Sequence, residues 1–277
     1  VNRSYVFKTS SVGRCRRNGE VIRGHSHNKS EPVVAKVRYI NPEWKDRIDS
    51  PRIGSRESRR KATSFQQVNI FDARKRISEG SASLDCSGFT LDGNKTSVHN
   101  FRDSDEISSI YYNEMKELIC RVTGADFACI YNHLIRTEKP TNFNDGYARF
   151  VHCDYNMTAL DGFADEVFKM NGIKREKHWD FAFYNTWQPF DHPVEMNPLA
   201  FIDWETLPPD DVIDYYYTGY GKDSLVAAPV YNSTHEFCYF PIMSTEEVIV
   251  MKQLESRSNR SIYCPHTSFD EPDAPKD

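Results

Sequence analysis

The sequence predicts a mainly β domain, a sandwich or a barrel, with helices packed against its outside. Two observations support this fold class. Short runs rich in aromatic and β-branched residues alternate with turn residues, above all in the second half of the chain. The clearest helical stretch is residues 104–124, where apolar side chains recur every three to four residues.

The first third of the chain begins with a polar and basic segment. We predict that residues 1–32 form an arm outside the core, and that residues 33–277 form a single domain. Strands are predicted at residues 33–40 and 68–71. The Pro-, Ser- and Arg-rich stretch between them predicts a loop, and within it the basic run Arg56-Glu-Ser-Arg-Arg-Lys61 is expected to be solvated.

The central helix has recognisable ends. Asp103 or Ser104 can cap its first turn, and Gly124 can end it. A buried strand at residues 126–136 and a short helix at residues 160–170 follow. Further strands are predicted in the second half at residues 179–187, 198–203, 225–231, 236–240 and 247–252.

The composition argues against several classes of function. The 277 residues carry a formal net charge of −5, which argues against nucleic acid as the main partner because phosphate binding needs a basic surface. No apolar run approaches the roughly 20 residues of a membrane span, and no apolar signal region is present at the start. Seven cysteines without a C-x-x-C pair predict free thiols in a reducing compartment, hence a cytoplasmic protein.

The most informative motif is the pair His152-x-Asp154. It lies in residues 146–156, which we interpret as a strand, so the two side chains share one face and Cys153 points into the opposite layer. An imidazole and a carboxylate supply two of the three ligands of a 2-His-1-carboxylate iron site, which leaves positions open for O₂.

The third ligand is expected to be a histidine further along the chain. His266 is our first choice, because it follows the strand 248–252 and a turn in a hairpin-like unit. His235, at the start of the strand 236–240, is the alternative. No nucleophile-elbow, P-loop, H-E-x-x-H or dinucleotide-binding motif competes with this interpretation.

An ordered set of blocks resembles a known family. The blocks are Phe71-Asp-Ala-Arg74, Ser83-Leu-Asp-Cys-Ser-Gly-Phe-Thr-Leu91, Phe101-Arg-Asp-Ser-Asp-Glu-Ile107, Val151-His-Cys-Asp-Tyr155, Tyr184-Asn-Thr-Trp-Gln-Pro189, Tyr239-Phe-Pro-Ile-Met243 and Pro265-His-Thr-Ser-Phe-Asp-Glu-Pro272. With them the chain resembles the hydroxylase/desaturase family that includes fungal gibberellin desaturase-like enzymes and the accessory protein of cephamycin 7-methoxylation.

The resemblance implies a double-stranded β-helix, or jelly roll, and Fe(II)/2-oxoglutarate-dependent oxidation in secondary metabolism. It also implies His152, Asp154 and His266 as the metal ligands. Two departures stand out. Gln188 replaces an arginine that the family usually has, and the final strand whose arginine binds the 2-oxoglutarate carboxylate is not found up to Asp277.

Other cations are therefore candidates for binding the 2-oxoglutarate carboxylate. Lys252 is preferred because it ends a strand near the distal histidine, and Arg260 and Arg149 are the alternatives, although Arg149 is expected to face away from the ligands. The substrate pocket is expected to be lined by Tyr155, Asn185 and Trp187.

The sequence thus predicts an iron-dependent dioxygenase that hydroxylates or desaturates a small natural product. Its partners would be the small-molecule substrate and O₂, with a homodimer as a candidate assembly and with neither nucleic acid nor a membrane. The alternative hypothesis is a non-catalytic accessory protein of the same fold that binds a partner or a small molecule.

Overall fold

The structure, a computed structural model, describes residues 2–8, 31–136, 146–219, 223–257 and 259–272, the first of these ranges as backbone only. The strands are β1 (Asn2–Lys8), β2 (Val33–Ile40), β3 (Arg52–Ile53), β4 (Thr63–Asp72), β5 (Phe89–Gly93), β6 (Phe127–His133), β7 (Asp180–Trp187), β8 (Leu199–Ile202), β9 (Val212–Tyr217), β10 (Ser224–Pro229), β11 (Phe237–Tyr239), β12 (Glu247–Glu255) and β13 (His266–Ser268). The α-helices are α1 (Arg56–Ala62), α2 (Ala73–Ser78), α3 (Ser104–Glu106), α4 (Tyr112–Thr123) and α5 (Leu160–Met170).

The first five-stranded sheet has the order β5-β12-β7-β1-β6 and is antiparallel throughout. Successive side chains of each strand point to opposite faces of this sheet, so each strand contributes residues to both its inner and its outer face. On β12, Val248 and Val250 pack with Met115 and Leu118 of α4. Ile249 and Met251 face the interior instead. The helix therefore covers the outer face of this sheet, as the sequence predicts.

The second five-stranded sheet has the order β13-β8-β11-β4-β2, with β4 and β11 parallel. Its inner face meets that of the first sheet in one apolar cluster. Phe201 of β8 is fully buried there, with its ring centroid 4.3 Å from that of Phe89 on β5 and 5.5 Å from that of Phe240. Two curled sheets packed face to face in this way are the layers of a jelly roll.

A third sheet has the order β10-β9-β3. The segment that carries His152 and Asp154 runs from here to the second sheet. It is extended but is not the regular strand predicted for residues 146–156: it makes two isolated bridges, from His152 to His266 and from Cys153 to Ala227. His152 and Asp154 thus lie where this segment links the second sheet to the third.

The predicted central helix is present with an irregular start. Asp103 accepts hydrogen bonds from the backbone N–H groups of Asp105 and Glu106, and α3 continues through a π-helical turn at Ile107–Tyr111 into α4. Gly124 ends the helix with a φ of 66°, a left-handed conformation that glycine adopts without strain.

Three expectations about local structure need correction. The basic run Arg56–Lys61 lies in α1, not in a loop, because Ser55 and Ser58 form a capping box at its start. The strand before His266 does not form a hairpin with it, since β12 belongs to the first sheet and β13 to the second. Residues 2–8 form a strand between β6 and β7, which the prediction of an arm for residues 1–32 missed.

Residues 9–30 lie outside the described residues, and the division of the chain at residue 33 stays a prediction.

Cys86 is disulfide-bonded, which corrects the expectation of free thiols at that position. The free cysteines among the described residues are Cys120, Cys129, Cys153, Cys238 and Cys264. No helix in the described part of the chain is long and apolar enough to cross a membrane.

Candidate metal centre

His152, Asp154 and His266 converge on one point. His152 Nε2 lies 3.6 Å from Asp154 Oδ1, and His266 Nε2 lies 3.7 Å from Asp154 Oδ2. One ligand atom from each residue lies within 4.8 Å of the others. Two atoms about 2.1 Å from one metal ion can be at most about 4.2 Å apart, so both carboxylate–imidazole pairs can share one ion.

The backbone explains why the two histidines meet. His152 and His266 are bridged as an antiparallel pair, with N–H···O bonds of 3.1 and 3.0 Å in the two directions. Directly opposed residues in an antiparallel pair project to the same side, and here their ring centroids are 4.6 Å apart. Asp154 lies two residues beyond His152, and therefore on the same face of the extended segment.

The hydrogen bonds of the two imidazoles fix their tautomers. His152 Nδ1 lies 2.9 Å from the carbonyl oxygen of Phe150, and His266 Nδ1 lies 3.0 Å from that of Cys264. Because a carbonyl oxygen only accepts, each Nδ1 carries a proton and donates it, which leaves Nε2 facing the shared point. Two imidazole nitrogens and a carboxylate directed at one point are a donor set that fits a divalent metal ion.

Asn185 contacts the carboxylate of Asp154, and Gln253 contacts the backbone of the same residue. The fully buried Asn185 donates a hydrogen bond from Nδ2 to Asp154 Oδ2. Gln253 Oε1 accepts from the backbone N–H of Asp154 at 3.4 Å. Asn185 Oδ1 has no hydrogen-bond partner among the described residues.

A cleft opens onto the three residues and contains about 510 Å³ of empty space, counted out to open solvent. Its other described lining residues mix apolar and polar groups: Leu134, Arg136, Tyr147, Ala148, Trp187, Asn197, Leu199, Met251 and Ser268. A concave, largely apolar site with a few converging polar groups is typical of a small-molecule pocket.

Two of the cations predicted to bind the cosubstrate lie elsewhere. Met251 faces the cleft, so the next side chain, Lys252, points to the opposite layer, where its Nζ lies 2.9 Å from Glu255 Oε2 and 3.3 Å from Asp85 Oδ1. Burial lowers the pKa of Lys252, and the carboxylate of Glu255 opposes this shift. Arg260 pairs with the same Asp85.

Arg149, the third of these cations, lies on the far side of the metal-bearing segment, as its position three residues before His152 predicts. Its guanidinium lies 2.6 Å from Asp270 Oδ1 and 2.6 Å from Asn197 Oδ1. It is therefore outside the cleft, although Asn197 belongs to the wall of the cleft.

The three residues predicted for the substrate pocket have different surroundings. Trp187 lines the cleft and Asn185 contacts Asp154, whereas Tyr155 is buried in the apolar core, with its ring centroid 5.0 Å from that of Phe163. The alternation that directs Asp154 into the cleft turns Tyr155 away from it. The structure thus corrects the placement of Tyr155.

His235, the alternative third ligand, is remote from this group. Its Nδ1 lies 3.0 Å from the hydroxyl of Tyr39, and its Nε2 lies 3.3 Å from Asp211 Oδ2. Burial lowers the pKa of His235, and Asp211 counteracts part of this shift. The structure therefore brings His266, and not His235, to Asp154.

Sequence reasoning missed Arg136, the only cationic residue among the described residues that line the cleft. It lies three residues after β6, and its Nη1 donates to the carbonyl oxygen of Gly146 at 3.1 Å. No local pattern marks this position. Only the pairing of sheets brings the end of β6 to the metal-bearing segment.

The fold and the site together define a jelly-roll protein with a 2-His-1-carboxylate group at the base of a cleft. The family described as "YDMC: Oxidoreductase/YMDC permease-like domain" matches residues 37–277, and the chain belongs to this family.

Curated fungal proteins resemble most of the chain. The Fe(II)/2-oxoglutarate-dependent dioxygenase nvfI of Aspergillus novofumigatus is 27% identical over 220 residues, covering 76% of this chain and 78% of the relative. The hydroxylase/desaturase efuI of Hormonema carpetanum is 27% identical over 269 residues, covering 87% and 89%. These relatives confirm the resemblance to fungal hydroxylase/desaturases.

A solved structure confirms the fold. A variant of the iron and alpha-ketoglutarate-dependent endoperoxidase NvfI superposes with a TM-score of 0.74 at 23% identity, covering 90% of this chain and 92% of the other. The predicted jelly roll is therefore the fold of this protein.

Proposed function

We propose that this protein is an Fe(II)/2-oxoglutarate-dependent oxygenase that hydroxylates or desaturates a small molecule of secondary metabolism. The observation that carries this proposal is the group of His152, Asp154 and His266, whose donor atoms are oriented by their own hydrogen bonds. One relative named as an Fe(II)/2-oxoglutarate-dependent dioxygenase and another named as an alpha-ketoglutarate-dependent dioxygenase support the same cofactors. No observation on the described residues favours a non-catalytic accessory protein.

The residues present fit an iron ion with an open coordination face. His152, Asp154 and His266 would hold the metal from one side, and the cleft provides room on the other. Bound iron with 2-oxoglutarate and O₂ supplies the oxidising power to remove hydrogen from a C–H bond of the substrate. The protein contributes the fixed ligand geometry, and Asn185 keeps the Asp154 carboxylate from rotating.

Arg136 is proposed to bind a ligand carboxylate in this cleft. A guanidinium forms bidentate hydrogen bonds with a carboxylate, and the cleft is partly enclosed, which strengthens such a pair. The distal carboxylate of 2-oxoglutarate is one group that Arg136 can bind. Trp187, Leu199 and Met251 form the apolar part of the wall and are proposed to contact the hydrocarbon body of the substrate.

The direct test is cosubstrate turnover and metal content of the purified protein. We expect one Fe(II) per chain and conversion of 2-oxoglutarate to succinate in the presence of O₂, and we expect both to be lost in Asp154→Ala. Wild-type protein that binds no Fe(II), or an Asp154→Ala variant with full iron content and turnover, would refute the proposal.

We further propose that the enzyme acts in the cytoplasm on a dissolved small molecule, as a monomer or a homodimer. The free thiols of Cys129, Cys153 and Cys264 are compatible with a reducing compartment, whereas the disulfide-bonded Cys86 is not typical of one. Cell fractionation together with light scattering of the purified protein tests this assignment. Recovery in a secreted fraction would contradict the location.

A further inference from the structure

Helix α1 presents a row of arginines on the surface of the second sheet. Its capping box begins at Ser55, and Arg56, Arg59 and Arg60 follow within two turns. Arg56 and Arg60 are four residues apart and therefore neighbours on one helix face, where like charges repel. The fixed start of the helix gives these side chains a defined direction that a solvated loop would lack.

Two further arginines join this row from neighbouring segments. Arg38 of β2 donates from Nη1 to the carbonyl oxygen of Thr63 at 3.3 Å, and the hydroxyl of Thr63 donates to the carbonyl oxygen of Arg59 at 2.6 Å. The carbonyl oxygen of Arg38 in turn accepts from the backbone N–H of Val151, two residues beyond Arg149. We call Arg38, Arg56, Arg59, Arg60 and Arg149 the arginine cluster.

The charges of this cluster act on one another. Burial lowers the pKa of Arg59, and the positive charges of Arg38, Arg149, Arg56 and Arg60 lower it further. The pKa of Arg38 is lowered by burial and by Arg60. Arg59 is thus within electrostatic range of the other four arginines.

Within the described part of the chain, four of these arginines have no carboxylate at ion-pair distance, and only Arg149 has one, Asp270. Arg59 Nε is moreover buried without a hydrogen-bond partner. Most other surface arginines do have acidic partners: Arg47 with Asp49, Arg52 with Asp223, Arg74 with Glu247, Arg102 with Asp191, and Arg175 with Asp161 and Asp165. Among the described residues, Arg38, Arg56, Arg59 and Arg60 thus differ from most other surface arginines in having no carboxylate partner.

We propose that the arginine cluster is a binding site for a multiply charged oxyanion, the phosphate or pyrophosphate group of a small molecule. A phosphate oxygen pair matches the fork of a guanidinium, and a multiply charged anion can pair with several of these arginines at once.

The position of the cluster connects it to the metal centre. The guanidinium of Arg149 contacts Asn197, which lines the cleft, and the backbone carbonyl of Arg38 accepts from the N–H of Val151, the residue before His152. An anion held here lies against the outer side of the cleft wall. The anion is either a free effector or the charged end of an organic phosphate, and both present the same chemistry to the arginines.

The test is calorimetric titration of the full chain with inorganic pyrophosphate at constant ionic strength. We expect saturable binding that weakens by roughly tenfold or more in Arg60→Glu and in Arg59→Gln, since each removes a charge-assisted contact. Arg60 is exposed, so its variant keeps the fold even where Arg59→Gln perturbs packing. Arg121→Gln, which removes one exposed charge from α4, is the matched control and should bind as the wild type does.

A second titration identifies the source of the anion. Tighter binding of phenyl phosphate than of inorganic phosphate would assign the site to an organic phosphate, and equal binding would assign it to a free anion. Absence of saturable pyrophosphate binding, or equal binding by wild type and Arg60→Glu, would overturn the proposal. These measurements need neither iron nor turnover, so their outcome is independent of the proposed oxygenase activity.

Discussion

Replacing Asn185 by Leu tests whether the buried amide tunes the metal centre. Asn185 donates to Asp154 Oδ2, and a hydrogen bond to a charged group is worth about 1.5–3 kcal/mol. Since about 1.4 kcal/mol corresponds to a tenfold change in an equilibrium constant, we expect metal affinity to fall by roughly 10- to 100-fold.

The same substitution should change the free energy of unfolding very little. Asn185 is fully buried, and its Oδ1 lacks a partner, which costs about 1–3 kcal/mol in the wild-type fold. Leucine has a similar volume and removes that unsatisfied atom together with the useful Nδ2 contact. The two effects are of equal size and opposite sign, so metal binding and stability should separate.

Calorimetric titration with Mn²⁺, an oxygen-stable probe for the iron site, measures the affinity, and thermal unfolding of the metal-free protein measures stability. Thr186→Val is the matched control, because Thr186 is the next residue on β7, is equally buried and also carries an unpaired oxygen, but faces the other layer. Unchanged Mn²⁺ affinity in Asn185→Leu would refute the role given to Asn185.

Three further predictions follow from the core, the cleft and the buried histidine. Phe201→Ala should lower the free energy of unfolding in urea by about 3–5 kcal/mol, because this ring is fully buried between the sheets; a loss below about 1 kcal/mol would contradict the packing. Arg136→Gln should abolish the preference of the iron-loaded protein for 2-oxoglutarate over 2-oxopentanoate, which lacks the distal carboxylate; a retained preference would place that carboxylate elsewhere. Burial lowers the pKa of His235 below its ordinary value of 6.5, so below about pH 6.5 the unfolded chain binds a proton more readily than the folded chain does. The free energy of unfolding should therefore decline towards pH 5, and it should decline less in His235→Gln. An equal decline in both proteins would exclude this histidine as the cause.

Much of the fold and the local part of the site could be predicted because they depend on short-range patterns. The apolar spacing around Met115 marks α4, and the continuous apolar run at residues 248–251 marks β12. His152 and Asp154 are two residues apart, so any extended backbone directs them to one side, even though the segment is not a regular strand.

The remainder depends on how distant segments pair. The sequence does not reveal that β12 and β13 belong to different sheets, or which face of β12 meets the cleft, and for this reason the expected position of Lys252 differs from the observed one. Arg136 joins the cleft only through the position of β6 in the first sheet. Such sites leave no periodic pattern in the sequence, because they depend on how residues far apart in the chain pair in the sheets.

The central claim is that His152, Asp154 and His266 bind the iron ion that 2-oxoglutarate chelates. It is tested most directly by anaerobic titration with Fe(II) and then 2-oxoglutarate, following the visible charge-transfer band that a 2-oxo acid gives when it chelates Fe(II). We predict the band in the wild type and in His235→Gln, and its loss in His266→Ala and Asp154→Ala. A band that persists in His266→Ala and disappears in His235→Gln would contradict the account.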